Sequence, residues 1–277
     1  MAVEYANLLT GPRLSMRIEL SGRTVYAYTG TKPVVPGQRS LVFIHGAAND
    51  HSVWALQSRY FAYHGFNVLA LDLPGHGKSA GPAASSIQDM AQWLVRVLDT
   101  VGIEKAALVG HSMGSLIALE AAAHAPQRVE KLALIATAFP MKVSDALLDT
   151  ARVRDHAALE MINVWSHSAG GQTGGNRAPG QWIMGGGMRL LERTAEPLYN
   201  DFNACNQYTA GFDSAAEIAC PVLLISGSRD LMTPPRSAKA LSEKLANLQW
   251  VTIDGSGHDL MAERPDAVLD ALISFVE

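Results

Sequence analysis

Serine, histidine and aspartate together can supply a nucleophile, a base and an acid that orients the base, and this chain offers one such set. Gly110-His111-Ser112-Met113-Gly114 has the form G-x-S-x-G, preceded by the apolar run Ala106–Val109 and followed by the Ala- and Leu-rich stretch Met113–His124. A strand that turns abruptly into a helix lifts the serine off a sheet, and glycines on both sides give the turn room. The helix N-terminus then aims free N–H groups at the reacting centre. A hydroxyl is a weak nucleophile until a base takes its proton. Of nine histidines, His258 is placed to do this: it closes Gly255-Ser256-Gly257-His258, directly after the last apolar run. Its loop should leave the sheet at the same edge as Ser112. His111 lies inside the turn and should point away from Ser112, while His45 and His76 sit in glycine-bounded loops and read as structural. Asp230 ends Gly227-Ser228-Arg229-Asp230, after the run Val222–Ser226. There it would fix the imidazole tautomer and steady the imidazolium. Asp254 and Asp259 are too close to His258 in sequence to hold it and read as turn and capping residues. The chemistry of such a set is acyl transfer.

An oxyanion needs preorganised N–H donors. One should be the amide of Met113, the residue after the nucleophile. The other should come from the loop after Leu41–Ile44, which reads His45-Gly46-Ala47-Ala48-Asn49, with the amide of Ala47 as the donor; side chains of Asn49 or Trp54 are alternatives. The loop Leu71–Ser79, with its proline and glycines, is turn chemistry that shapes the site without catalysing.

These residues need a scaffold that brings distant loops to one edge. Met16–Leu20 and Thr24–Tyr28 read as a hairpin around Ser21-Gly22. Beyond them, short continuous apolar runs occur at Leu41–Ile44, Phe66–Leu73, Ala106–Val109, Lys131–Ala136, Val222–Ser226 and Trp250–Ile253, the pattern of strands covered on both faces. Helical stretches lie between them. Ile87, Met90, Ala91, Leu94, Leu98 and Val101 share one face of a helix that Ser86 would cap, with Asp89 completing an imitation of a capping box. Further helices are expected over Ser237–Leu248 and Pro265–Val276. The alternation implies an α/β fold with a mostly parallel sheet and helices on both faces. The core should comprise residues 1–138 and 212–277. Between 139 and 211 no strand is convincing, and the segment is too long for a plain loop, so it reads as a mostly helical insertion. It should lie over the carboxyl ends of the strands, where open α/β sheets bind ligands. There Trp165, Trp182, Met184 and Tyr208 are expected to line an apolar pocket, with Met161 and Met188 nearby.

Composition excludes several other classes. Of 277 residues, 48% are hydrophobic and 17% charged, enough for a sizeable core, and the formal net charge of -4 carries no basic footprint for nucleic acid. The two cysteines, Cys205 and Cys220, match neither a metal knuckle nor a redox pair. Met1–Leu20 lacks the apolar core of a signal peptide, and no window approaches the ~20 apolar residues of a membrane span. A cytoplasmic protein acting on a small-molecule substrate is the expectation; oligomeric state is open.

Taken together, His45-Gly46, the loop Asp72-x-Pro74-Gly75-x-Gly77-x-Ser79, the Ser112 turn, Gly227-x-x-Asp230 and Gly257-His258 resemble the α/β-hydrolase superfamily over nearly the whole chain. The resemblance implies an eight-stranded sheet, a helical cap and no cofactor. Haloalkane dehalogenases and epoxide hydrolases are similar but carry aspartate where this chain has Ser112. The loop after His45 is not the HGGG type of hormone-sensitive-lipase-like esterases. Gly-His-Ser-Met-Gly is the form of carboxylesterases, monoacylglycerol lipases and acyl-carrier methyl esterases. The resemblance therefore implies ester hydrolysis. Carbon–carbon hydrolysis of the meta-cleavage type, thioester or carrier-protein ester hydrolysis aided by Arg152, Arg154, Arg189 and Arg193, and ligand reception on the same fold are the alternatives.

Overall fold

The computed structural model describes residues 15–175 and 181–277. Most of Met1–Leu20, read above as lacking a signal peptide, lies outside the described residues.

The first hairpin pairs β1 (Ser15–Leu20) with β2 (Arg23–Tyr28), with both turn residues, Ser21 and Gly22, at positive φ. Then follow β3 (Ser40–Ile44), α1 (Ala55–Tyr63), β4 (Asn67–Leu71), α2 (Ile87–Val101), β5 (Ala106–His111), α3 (Met113–His124) and β6 (Val129–Ile135). Next come α4 (Asp145–Arg152), α5 (His156–Ser166), α6 (Ala169–Gln172), α7 (Ile183–Arg193), α8 (Leu198–Gln207) and α9 (Gly211–Ala216). The chain closes with β7 (Val222–Gly227), α10 (Pro235–Ser242), β8 (Leu248–Ile253), α11 (Leu260–Glu263) and α12 (Pro265–Val276). The strands form one eight-stranded sheet in the order β1-β2-β4-β3-β5-β6-β7-β8, antiparallel at β1-β2 and β2-β4 and parallel elsewhere.

Strand periodicity divides the core in two. Val42 and Ile44 of β3 face one hydrophobic cluster with α2 and α3, whereas Leu41 and Phe43 face a second with α1 and α12. The helix faces match: Ile87, Met90, Leu94 and Leu98 of α2 are buried, and each fully buried side chain of this size contributes about 1.5–3 kcal/mol. Ser86 accepts the Asp89 N–H at 3.1 Å, and Gly102, at φ 78°, ends the helix in the left-handed conformation.

One expected helix ends early. α10 stops at Ser242 rather than Leu248, and β8 begins at Leu248 rather than Trp250. The reason is tertiary: the Val222 N–H donates to Asn247 O at 2.8 Å and Leu248 pairs with Val222, so the parallel ladder claims backbone that local pattern assigns to a helix.

The strand order reverses at β3, which lies between β4 and β5. Loops leaving the carboxyl ends of β3 and β5 run to opposite sides there and open a crevice.

Candidate active site

Ser112 joins β5 to α3 at φ 51°, ψ −120°, a conformation that a residue other than glycine holds only under constraint. Hydrogen bonds supply that constraint. The Ser112 N–H donates to Ile135 O at 2.9 Å, and its carbonyl accepts from the Ser115 N–H at 2.8 Å and the Ser115 hydroxyl at 2.5 Å. The flanking glycines are required by close approach: a Cβ on Gly110 would lie 2.2 Å from Gly114 O, and one on Gly114 would lie 2.3 Å from Ile44 O. Met113 starts α3, where the first backbone N–H groups have no partner within the helix. The loop after β3 passes close by, since a Cβ on Gly46 would sit 3.1 Å from Ser112 Cβ. Ala47 and Ser112 line the same two cavities.

Asp230 and His258 meet beside them. Asp230 Oδ2 lies 2.8 Å from His258 Nδ1 and accepts the Thr233 hydroxyl at 2.7 Å; Oδ1 accepts the Met232 and Thr233 N–H groups, each at 2.8 Å. Burial favours the protonated acid, but His258 and these donors outweigh it and hold Asp230 at about 2. A carboxylate only accepts, so Nδ1 of His258 carries the proton in the neutral ring and Nε2 is a free base. His258, buried at 4% exposure, lines both cavities with Ser112.

Two further histidines brace the loops around this pair. His111 Nε2 donates to the His258 carbonyl at 3.0 Å; burial, then the neighbouring His258, lowers its pKa to about 3, so it is neutral. His45 donates from Nδ1 to Gly46 O at 2.8 Å and accepts the Leu73 N–H at 3.1 Å; burial, then His76, lowers it to about 4. The loop read as shape-giving is braced by Asp72, whose Oδ1 accepts the His51 N–H at 2.7 Å and whose Oδ2 accepts the Lys78 N–H at 2.8 Å. Donor atoms of Asp50, His51 and Asp72 lie within 4.8 Å of one another, but the carboxylates already serve as hydrogen-bond acceptors within these loops.

Ser112 faces two chambers. The larger, about 190 Å³, is lined by Met141, Leu147, Trp165, Phe202, Leu231 and Met232 among others. The smaller, about 60 Å³, is lined by Asn49, Ile162, Asn163, His167, Phe202 and Asp259 among others. Two cavities of about 330 Å³ lie elsewhere, one between α1 and α7 and one against α2 and α3, and neither includes Ser112 or His258.

Of the four residues expected to line a pocket, only Trp165 does so beside Ser112. Trp182 is a correction: it is 74% exposed and covers Gly185, where a Cβ would lie 2.3 Å from its ring. Met184 lines neither chamber; its carbonyl accepts the Asn163 side-chain amide at 3.1 Å. Tyr208 is buried away from the chambers because its hydroxyl needs a partner, which it finds in Glu120 of α3 at 2.5 Å. Met161 and Met188 pack against the cluster formed by α4, α5, α7 and α8. Besides the apolar lining of the chambers, Thr233, Asn163 and His167 escaped the sequence reading of the site. Thr233 follows Asp230 at the spacing of an Asx-type turn, a readable signal. Asn163 and His167, four residues apart on and just after α5, are a polar pair in an apolar stretch.

A crevice at the strand-order reversal, with a strained serine and a carboxylate-paired imidazole at its mouth, is the architecture of a hydrolase. The alpha/beta hydrolase family profile matches residues 41–271, and the chain belongs to that family. It is 25% identical over 253 residues to an (E)-2-((N-methylformamido)methylene)succinate hydrolase of Acinetobacter baylyi, covering 86% of this chain and 90% of that protein. It is 26% identical to a pimeloyl-[acyl-carrier protein] methyl ester esterase of Pectobacterium carotovorum, covering 87% and 95%. The fold matches that of the enol-lactonase from Burkholderia xenovorans with a TM-score of 0.82 at 24% identity, covering 94% of this chain and 99% of that one. Among the described residues no helix is long and apolar enough to cross a membrane.

Proposed function

We propose that the protein is a serine esterase that cleaves carboxylic esters of small or medium apolar substrates through an acyl-enzyme. The observation that carries this reading is the 2.8 Å contact between Asp230 Oδ2 and His258 Nδ1, with His258 and Ser112 lining the same chambers. Ser112 Oγ attacks the ester carbonyl carbon while His258 Nε2 takes its proton, and Asp230 stabilises the resulting imidazolium. The carbonyl oxygen, now negative, is held by the amides of Ala47 and Met113. As the carbon–oxygen bond breaks, His258 protonates the leaving alcohol. Water then enters, gives its proton to His258 and attacks the acyl carbon. The tetrahedral intermediate collapses, Ser112 regains the proton and the carboxylic acid leaves.

Residues 139–211 serve as the cap over this site, and Trp165, Phe202, Met141 and Met232 form the apolar side of the pocket. A basic rim suited to a carrier protein is less well supported: Arg152 pairs with Asp149, Arg189 with Glu192 and Arg193 with Asp50. The test is hydrolysis of p-nitrophenyl esters across acyl lengths by the wild type and Ser112→Ala. Loss of a triad serine lowers turnover by roughly a millionfold. A folded wild type inert toward every ester overturns the reading.

A further inference from the structure

The smaller chamber is lined in part by two buried polar side chains of the segment between β6 and β7. Asn163 and His167 line it and are 5% and 2% exposed. Asn163 Oδ1 and His167 Nε2 are buried without a hydrogen-bond partner among the described residues. Each side chain has its other polar atom committed: Asn163 Nδ2 donates to Met184 O at 3.1 Å, and His167 Nδ1 donates to Asn163 O at 2.7 Å. Each side chain is left with one uncommitted polar atom. With Nδ2 spent, Asn163 presents its carbonyl oxygen; with Nδ1 spent, His167 presents Nε2. The Asp259 carboxylate lines the same chamber, with Oδ2 3.6 Å from His167 Nε2. The residues that carry these two unpaired atoms, and Asp259 with them, therefore line one small space. A buried acceptor left unmatched is costly, so such a group calls for a ligand that fills it.

Space for that ligand is kept open by Gly187 of α7, which also lines the chamber. A Cβ there would lie 2.8 Å from Asn163 Oδ1 and 3.4 Å from His167 Cε1. The volume of about 60 Å³ admits a substituent of a few atoms, whereas the larger chamber, which shares Ser112 with it, holds about 190 Å³.

We infer that the smaller chamber is a specificity subsite for a short hydrogen-bond-donating substituent of the substrate, a hydroxyl or an amide N–H, with Asn163 and His167 as its acceptors. This inference rests on the esterase reading above. The preferred substrate is then an ester with an apolar arm on one side of the scissile carbonyl and a short donor-bearing arm on the other. A subsite that hydrogen-bonds its ligand discriminates strongly against an analogue lacking the donor, because its own groups are then left unpaired.

The experiment compares kcat/KM for matched ester pairs that differ in one donor. One pair places the hydroxyl in the alcohol arm (2-hydroxyethyl against propyl butyrate), the other in the acyl arm (propyl 3-hydroxybutyrate against propyl butyrate). Wild type should favour the hydroxylated member of one pair by at least about tenfold. Asn163→Leu and Gly187→Ala should bring that ratio towards one; the second variant gains helix propensity and so tests the idea if the first folds poorly. Ratios near one for both pairs, with wild type active on the plain esters, overturn the subsite and leave the esterase reading intact. A preference unchanged in both variants overturns its assignment to Asn163 and His167. Inactivity on every ester overturns the esterase reading and the subsite with it.

Discussion

His76 Nε2 and Asp201 Oδ2 meet at 2.8 Å, and the same carboxylate oxygen accepts the Ala48 N–H at 3.0 Å. One buried acid on α8 thus joins the loop after β4 to the loop proposed to hold the oxyanion. Ala48, at φ 49°, is further held by the Thr194 hydroxyl, which donates to its carbonyl at 2.6 Å. Asp201→Ala leaves the buried His76 Nε2 and the Ala48 N–H without their acceptor and should destabilise the fold by about 3 kcal/mol. Its kcat on p-nitrophenyl esters should fall at least tenfold with little change in KM, because Ala47 loses its register. Urea melts and steady-state kinetics read the two effects separately; an unchanged kcat in folded protein refutes the positioning role.

The same pair has a defined pH dependence. Burial works against the charged His76 ring, but Asp201 outweighs it and raises the pKa above its ordinary value. A raised folded-state pKa means stability that is fully present below the unfolded value of about 6.5 and is lost as pH rises through the folded value. The stability difference between wild type and His76→Gln should therefore be constant below about pH 6 and shrink above it. Urea denaturation across pH 5 to 9 checks the sign.

Asp230 runs the other way. Held at about 2, it contributes stability that is present above its unfolded value of about 3.9 and is lost as pH falls towards 2. The advantage of wild type over Asp230→Asn, on the order of 2 kcal/mol from this source, should narrow from about pH 4 downwards. At neutral pH the same variant should lose roughly 10⁴ in kcat, since the amide no longer enforces the Nδ1–H tautomer.

Thr233→Val is a finer probe. The hydroxyl donates to Asp230 Oδ2 at 2.7 Å and lies 2.9 Å from Ala136 O and 3.1 Å from His258 Nδ1, while the Thr233 N–H to Asp230 survives the change. A loss of about 1 kcal/mol in stability is expected, with a roughly tenfold fall in kcat that Thr233→Ser restores.

Gly110→Ala tests the tight turn itself. Its methyl would meet Gly114 O at 2.2 Å, which no rotamer can relieve, so destabilisation above about 3 kcal/mol is expected, read as a drop in urea midpoint.

The elements of the fold and the candidate residues of the site were legible because they are written in local pattern. The alternation of apolar runs and helical faces announces a parallel sheet, and G-x-S-x-G, Gly-x-x-Asp and Gly-His each encode a turn at a strand end. What pattern cannot carry is which side chains meet after the chain folds. α10 yields to β8 because a ladder with β7 claims Leu248. Tyr208 turns to Glu120 rather than to Ser112, since a buried hydroxyl goes where an acceptor is. The anchoring of Ala48 by Asp201, 153 residues away, has no local signature, and the polar pair Asn163 and His167 does not by itself tell that it shares a chamber with Ser112. Sequence determined the fold and singled out Ser112, Asp230 and His258 as candidates, because strand and turn chemistry is local; tertiary structure alone decided the pocket, because its walls come from helices whose docking depends on contacts far apart in the chain.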